Sequence, residues 1–261
     1  MRIRKRSVCA AASSAVVMLA LGASTAHAEG EGDIRVIKTV VNNGGNVIVG
    51  VHDVKRFSVV FTVRDNSGVK KLTHAAVFNT SNGLDSEDWI GNTCKKSSKT
   101  TSVCTETFEV HPDWFKDSLP GRDPNLLAGT WQVNATVSAN DGNYWIHDRL
   151  ALFDFKRASV LTTDAGPEPV SKGGKLTVKG RLTRANWSDL KYHGYINQTV
   201  KLQFKKAGTS SYKTVKTAKT NSTGSLSTTV TATSAGTWRW AFSGTHTTMA
   251  VNSAGDGVAL R

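Results

Sequence analysis

The chain has 261 residues, of which 39% are hydrophobic, with 23 glycines, five prolines and a net charge of +13. This composition excludes a disordered or collagen-like chain, and the length suits one or two domains with their own cores. Abundant Thr, Ser, Val and Gly favour short strands and turns over helices, so the expected class is all-β.

Residues 1–28 read as a cleaved secretory signal peptide. Arg2, Arg4, Lys5 and Arg6 form a basic start, residues 8–22 an apolar middle, and Ala26-His27-Ala28 a small-x-small cleavage site. The apolar run is shorter than the roughly 20 residues that span a bilayer, and no later stretch approaches that length. An exported chain without a transmembrane segment is therefore expected, extracellular or associated with the cell wall. Without the four leader charges the net falls to +9, and it is unevenly spread. Residues 29–164 hold 15 Lys/Arg against 17 Asp/Glu, whereas residues 165–261 hold 14 against three. A near-neutral half followed by a basic half is either a solvated face that serves solubility or a surface for an anionic partner, since such a field speeds encounters with polyanions.

In chain order, residues 34–41 and 47–51 are β-branched segments separated by Asn42-Asn43-Gly44-Gly45. They predict an opening hairpin or a strand that switches sheets. Phe57, Val59, Phe61 and Val63 alternate with polar residues until Asp65-Asn66-Ser67-Gly68 turns the chain. Residues 72–78 predict a third strand and 79–91 a polar loop. Cys94 and Cys104, with nine residues between them, are the cysteines left after the leader, and in an oxidising setting they are expected to bond to each other as a staple. Residues 106–110 read as extended and 111–115 as the start of a short helical or irregular link. Residues 144–155 form the last strand of the first domain, with an alternation broken between Leu150, Leu152 and Phe153, Phe155 that predicts a bulge or a strand covered on both faces.

The expected first domain covers residues 29–160. Gly166-Pro167-Glu168-Pro169 marks a linker over 161–172, because proline fixes the backbone and removes a donor. The expected second domain covers 173–261. Within it Leu176, Val178 and Leu182 oppose Lys175, Lys179 and Arg181, and Val200, Leu202 and Phe204 oppose Lys201 and Lys205. Each strand therefore has an apolar and a basic face. The two domains share Ala-Gly-Thr-Trp, at 128–131 and again at 235–238, each time before an alternating run. A repeat of this spacing has the size of an immunoglobulin-type sandwich. The predicted architecture is two tandem immunoglobulin-like β-sandwich domains after a cleaved signal peptide.

Val170-Ser171-Lys172-Gly173-Gly174-Lys175-Leu176-Thr177-Val178, 182–187, Leu202-Gln203-Phe204 and Gly236-Thr237-Trp238-Arg239-Trp240 carry a resemblance. Over most of residues 168–261 the chain resembles the immunoglobulin-like β-sandwich module of secreted actinobacterial proteins. The preceding region is similar to the domain that accompanies this module in exported proteins, some of them labelled calcium-binding. The resemblance implies fold and export and supplies no catalytic motif.

No G-x-S-x-G, H-E-x-x-H or phosphate loop is present, and His52-Asp53 and His147-Asp148 are neighbours that a strand would point to opposite faces. A non-catalytic protein is expected, with no cofactor. The candidate binding residues lie in the stretch 184–197, where Arg184, Trp187, Lys191, Tyr192 and Tyr195 set aromatic faces beside cations. Either this loop protrudes as a contact surface, or Trp187 and one tyrosine fold back to cap the core. Lys201 and Lys205, with the row Lys175, Lys179 and Arg181, would supply attraction to an anionic polymer such as cell-wall material. A secreted protein partner, met through sandwich edges by an adaptor or inhibitor subunit, is the alternative. Export removes the usual nucleic-acid targets. A calcium-binding extracellular protein is the third expectation. Its metal candidates are Asp85, Glu87 and Asp88, although no EF-hand spacing is present.

Overall fold

In the computed structural model, residues 3–5, 28–81, 84–86 and 89–261 are described. The expected leader is, apart from residues 3–5 and 28, outside the described residues. Among the described residues no helix is long and apolar enough to cross a membrane. The all-β, tandem immunoglobulin-like sandwich architecture expected from the repeat is the one observed. The chain divides into one unit of Met1–Val47 with Val54–Phe155 and another of Ile48–Asp53 with Lys156–Arg261.

The first unit opens with β1 (Ile3–Lys5), β2 (Ala28–Glu31) and β3 (Arg35–Val41). The turn at Asn42–Gly44 places Asn42, Asn43 and Gly44 at positive φ, as the Asn-Asn-Gly run predicts. β4 (Val47–Val49) then leaves the sheet of β3, so this is the strand switch rather than the hairpin. β5 (Lys55–Arg64), β6 (Val69–Asn79), β7 (Leu84–Ser86), β8 (Trp89–Lys96) and β9 (Thr101–Val110) follow. The predicted loop over 79–91 thus contains β7 and the start of β8. The expected link is helix α1 (Trp114–Ser118), and β10 (Gly129–Ala139) and β11 (Tyr144–Arg157) complete the series.

One sheet orders β1-β7-β6-β10-β11-β2 and the other β3-β5-β9-β8. Period-two sequence becomes period-two burial. Phe57, Val59, Phe61 and Val63 of β5 and Trp131, Val133, Ala135 and Val137 of β10 are all buried. Phe57 joins the two sheets, its ring lying 5.3 Å from Phe108 in its own sheet and 5.8 and 5.6 Å from Phe153 and Phe155 in the other. Burying such aromatic surface is the main force closing the sandwich, at about 25 cal/mol per Å². In β11 Phe153 and Phe155 are buried whereas Leu152 is exposed, and the expected bulge lies earlier in the strand, where the pairing with β10 shifts register between Ala151 and His147.

Two features interrupt the apolar rule. Cys94 and Cys104 are directly opposed in the β8–β9 ladder and form the expected disulfide, with Cα atoms 4.0 Å apart. Two residues on, Glu106 occupies an inward position of β9 and is 1% exposed. Burial pushes its carboxyl up to about 7, against the opposing pull of a hydrogen bond from Asn92.

The second unit pairs two further sheets. Around β14 (Lys175–Asn186) lie β12 (Ser159–Leu161), β13 (Asp164–Gly166), β15 (Lys191–Gly194) and β18 (Ser225–Thr231). The other sheet runs β17 (Lys213–Lys219), β16 (Thr199–Lys206), β19 (Gly236–Phe242) and β20 (Val251–Asn252), with β21 (Asp256–Val258) also on β19. The stretch 161–172, expected as a linker, is built into this unit: Asp164–Gly166 pairs with β14 from Lys179 to Thr177. Its two prolines lie just beyond that pairing, so they leave the ladder intact.

Leu176, Val178 and Leu182 from one sheet meet Val200, Leu202, Trp238 and Trp240 from the other. The indole Nε1 of Trp240 donates to Lys179 O at 3.0 Å, which ties the sheets together. Gly180 makes room for that contact, since a Cβ there would lie 2.7 Å from the Trp240 ring.

Candidate functional site

The stretch 184–197 is shaped by β15 folding back on the end of β14, in the register Asn186 to Lys191, Ala185 to Tyr192 and Arg184 to His193. The result is a hairpin with a four-residue connection, in which Leu190 adopts positive φ. Trp187, which the sequence places among candidate contact residues, is 0% exposed. Its Nε1 donates to Gly50 O at 3.0 Å, within the same unit. This corrects its place in a binding surface: a large apolar ring with one donor lowers its free energy most by burying the ring and bonding the donor.

Arg184 and Tyr195 do come together, the guanidinium lying 4.0 Å over the phenol ring. Tyr195 packs edge-on against Phe242 at 5.7 Å, and Arg184 also donates to Thr248 Oγ1. Both are half-buried and used within the fold. Lys191 and Tyr192 remain exposed. The Tyr192 hydroxyl is pushed above its ordinary range by burial and by the charge of Asp53. The hairpin also holds a His193–Asp189 contact of 2.7 Å, exposed to solvent and spaced i,i+4. The neighbours His147 and Asp148 make no such couple: the Nε2 of His147 is buried without a hydrogen-bond partner, and burial and Arg35 hold the imidazole below its usual pKa.

The basic rows separate. Lys175, Lys179 and Arg181 belong to β14, whereas Lys201 and Lys205 belong to β16 in the opposite sheet. Because the inner faces of both strands meet in the core, the two rows point to opposite sides and do not form one patch. Opposite the β14 row stand Ser225, Ser227, Thr229 and Thr231 of β18, and Asp164 faces Lys179.

The outer face of the β16 sheet is richer in cations. Ladder register puts Lys219 beside Thr199, Arg239 beside Gln203 and Thr237 beside Lys205, all on the side of Lys201. Arg239 Nε donates to Gln203 Oε1 at 2.9 Å, which fixes the guanidinium plane. That plane lies 3.7 Å over the ring of Tyr212, and Lys205 Nζ approaches the same ring at 5.2 Å. Lys201 and Lys205 are four residues apart, about 13 Å along the strand. The face therefore presents spaced cations around a held aromatic ring, a geometry that suits a polymer with repeating negative charge and flat or ring-shaped units.

Tyr212 and Arg239 are absent from the residues expected from sequence. Arg239 was legible as the polar partner between Trp238 and Trp240 in an alternating strand. Tyr212 precedes β17 and reaches this face only through tertiary packing. Of the metal candidates, Glu87 and Asp88 and the side chain of Asp85 lie outside the described residues.

No family model matches the chain, and no curated protein matches it. Among solved structures, the chain is similar to the D00-D0 domain of Intimin, at 12% identity over 84% of this chain and 98% of that one, with a TM-score of 0.28. It is also similar to the D0-D1 domain of Intimin, at 13% identity over 86% and 98% of the two chains, with a TM-score of 0.27.

Proposed function

We propose that the chain is an exported, non-catalytic binding protein whose second unit holds anionic cell-surface polymer against the outer face of the β16 sheet. The observation that carries this reading is the arrangement of Lys201, Lys205, Lys219 and Arg239 on one face, with the Tyr212 ring between Lys205 and Arg239. Lysines spaced along a strand meet phosphates or carboxylates as point charges, and the stacked Tyr212–Arg239 pair adds a contact that depends on shape. Such binding weakens as salt rises, because exposed charges are screened beyond about 8–10 Å at physiological ionic strength.

A protein partner recruited by strand addition is disfavoured at the edge of this sheet. β17 carries Lys213, Lys216 and Lys219, all exposed, and lysine on an edge strand discourages pairing with another chain. The test is binding to purified wall polymer of teichoic type at increasing salt. Tyr212→Ala is expected to weaken that binding while leaving the thermal transition of the protein in place.

A further inference from the structure

The first unit gathers a second group of charged residues that plays no part in the polymer-binding reading. Asp33 follows β2, Asp65 follows β5 and Asp141 lies in the turn from β10 to β11. One carboxylate oxygen from each lies within 4.8 Å of the others. Asp33 and Asp141 are exposed, whereas Asp65 is 1% exposed. Asp33 and Asp65 also line a cleft of about 450 Å³ with Asn66 and Thr100.

The state of Asp65 is what points to a ligand. Its Oδ1 accepts from Ser67 N at 2.8 Å and Ser67 Oγ at 2.6 Å, while its Oδ2 is buried with no hydrogen-bond partner. A buried, unpaired carboxylate oxygen is costly, and two further carboxylates nearby raise that cost. Among the described residues none of the three aspartates is ion-paired. Arg35 and Arg64 line the same cleft, but the Arg35 guanidinium lies 3.5 Å over the Trp145 ring and donates to Gly32 O and Ile34 O. Asp141 is oriented by Asn143, which donates from its backbone N to Oδ1 at 3.1 Å and from Nδ2 to Oδ2 at 3.0 Å. The two turns are joined as well: Asn140 Nδ2 donates to Ser67 O at 3.0 Å and Asp141 N to Ser67 Oγ at 3.2 Å.

We propose that Asp33, Asp65 and Asp141 bind a calcium ion. The donors are all hard oxygens with no histidine or thiolate among them, which selects calcium or magnesium over zinc or copper. Two of the three carboxylates are exposed on turns. That leaves room for the six to eight oxygens calcium accepts, with water completing the shell, and lacks the rigid octahedron magnesium demands. The ion supplies the missing partner for Asp65 Oδ2 and cancels the mutual repulsion, so it stabilises the junction of the turns at 32–33, 65–68 and 140–143.

The test uses the full chain stripped with chelator, titrated with calcium chloride and followed by calorimetry and thermal melting. One ion per chain is expected, saturating by about 10 mM as in extracellular modules, with a rise in melting temperature of several degrees. Asp33→Asn and Asp141→Asn, both at exposed positions that leave the core untouched, remove the heat and the shift. Asp85→Asn, in β7, leaves them unchanged. No heat and no shift at that concentration overturn the proposal. So does a response that survives both variants, one that Asp85→Asn abolishes, or an equal response to magnesium.

Discussion

The indole of Trp187 donates to the carbonyl of Gly50 across 137 residues of sequence, within a single folding unit. This hydrogen bond holds the short segment Ile48–Asp53 to the later part of the chain, as does the backbone bond from Ala158 N to Val49 O at 2.9 Å. The unit is therefore discontinuous in sequence, and Trp187 is a fastening of that discontinuity. Trp187→Ala is expected to destabilise the second unit by about 3–5 kcal/mol through the cavity it leaves. Trp187→Phe retains most of the packing and loses the donor, for about 1–2 kcal/mol. Denaturant unfolding followed on the second unit measures both. An alanine variant of unchanged stability would show that the ring is not part of the core.

Glu106 makes the first unit sensitive to pH. Its folded pKa of about 7 exceeds the ordinary 4.5, so the native state holds the proton more tightly than the unfolded chain does. Stability from this group is complete below about pH 4.5, declines as pH rises, and is lost above about pH 7. The difference between the limits is about 3 kcal/mol. Glu106→Gln, which keeps the shape without the charge, is expected to flatten the profile between pH 5 and 8 and to be the more stable protein at the alkaline end. Equal slopes for the two proteins would contradict this account.

The disulfide acts within one sheet. Cys94 and Cys104 face each other on neighbouring strands, with a sequence separation of 10, so the bond staples the β8 edge to β9 and does not join the two sheets. Closing a loop of that length stabilises the folded state by about 3 kcal/mol in the chain-entropy view. Paired Cys94→Ser and Cys104→Ser substitutions are expected to lower the first unit's stability by about that amount. The second unit's unfolding should stay unchanged, and a drop in both transitions would count against it.

Much of the fold is legible in residue patterns. Strict alternation at Phe57–Val63 and at Trp131–Val137 settles which side of each strand is buried, and Asn42-Asn43-Gly44 marks its own turn. The repeated Ala-Gly-Thr-Trp marks the start of corresponding core strands, β10 and β19, with Trp131 and Trp238 both buried. Placement between distant segments is less legible. Nothing local to residues 48–53 shows that they join the second unit, because that choice depends on a partner at Trp187. The segment holding Pro167 and Pro169 reads as a linker because proline is a local signal, whereas the pairing of Asp164–Gly166 with β14 is a tertiary one. The same limit applies to surfaces. Alternation identifies Lys175 and Lys201 as outward but leaves open that their strands lie in different sheets, and the convergence of Asp33, Asp65 and Asp141 has no spacing signature.

We propose that one face of the second unit, and not its net charge, recognises anionic polymer. It is tested most directly by measuring affinity for purified wall polymer, across a salt series, for the full chain and two charge-matched double variants. Lys201→Glu with Lys205→Glu alters the β16 face, and Lys175→Glu with Lys179→Glu alters the β14 face by the same total charge. The account predicts salt-sensitive binding that falls about ten-fold or more in the first variant and changes little in the second. Absence of binding at low salt, or equal loss in the two variants, would contradict it.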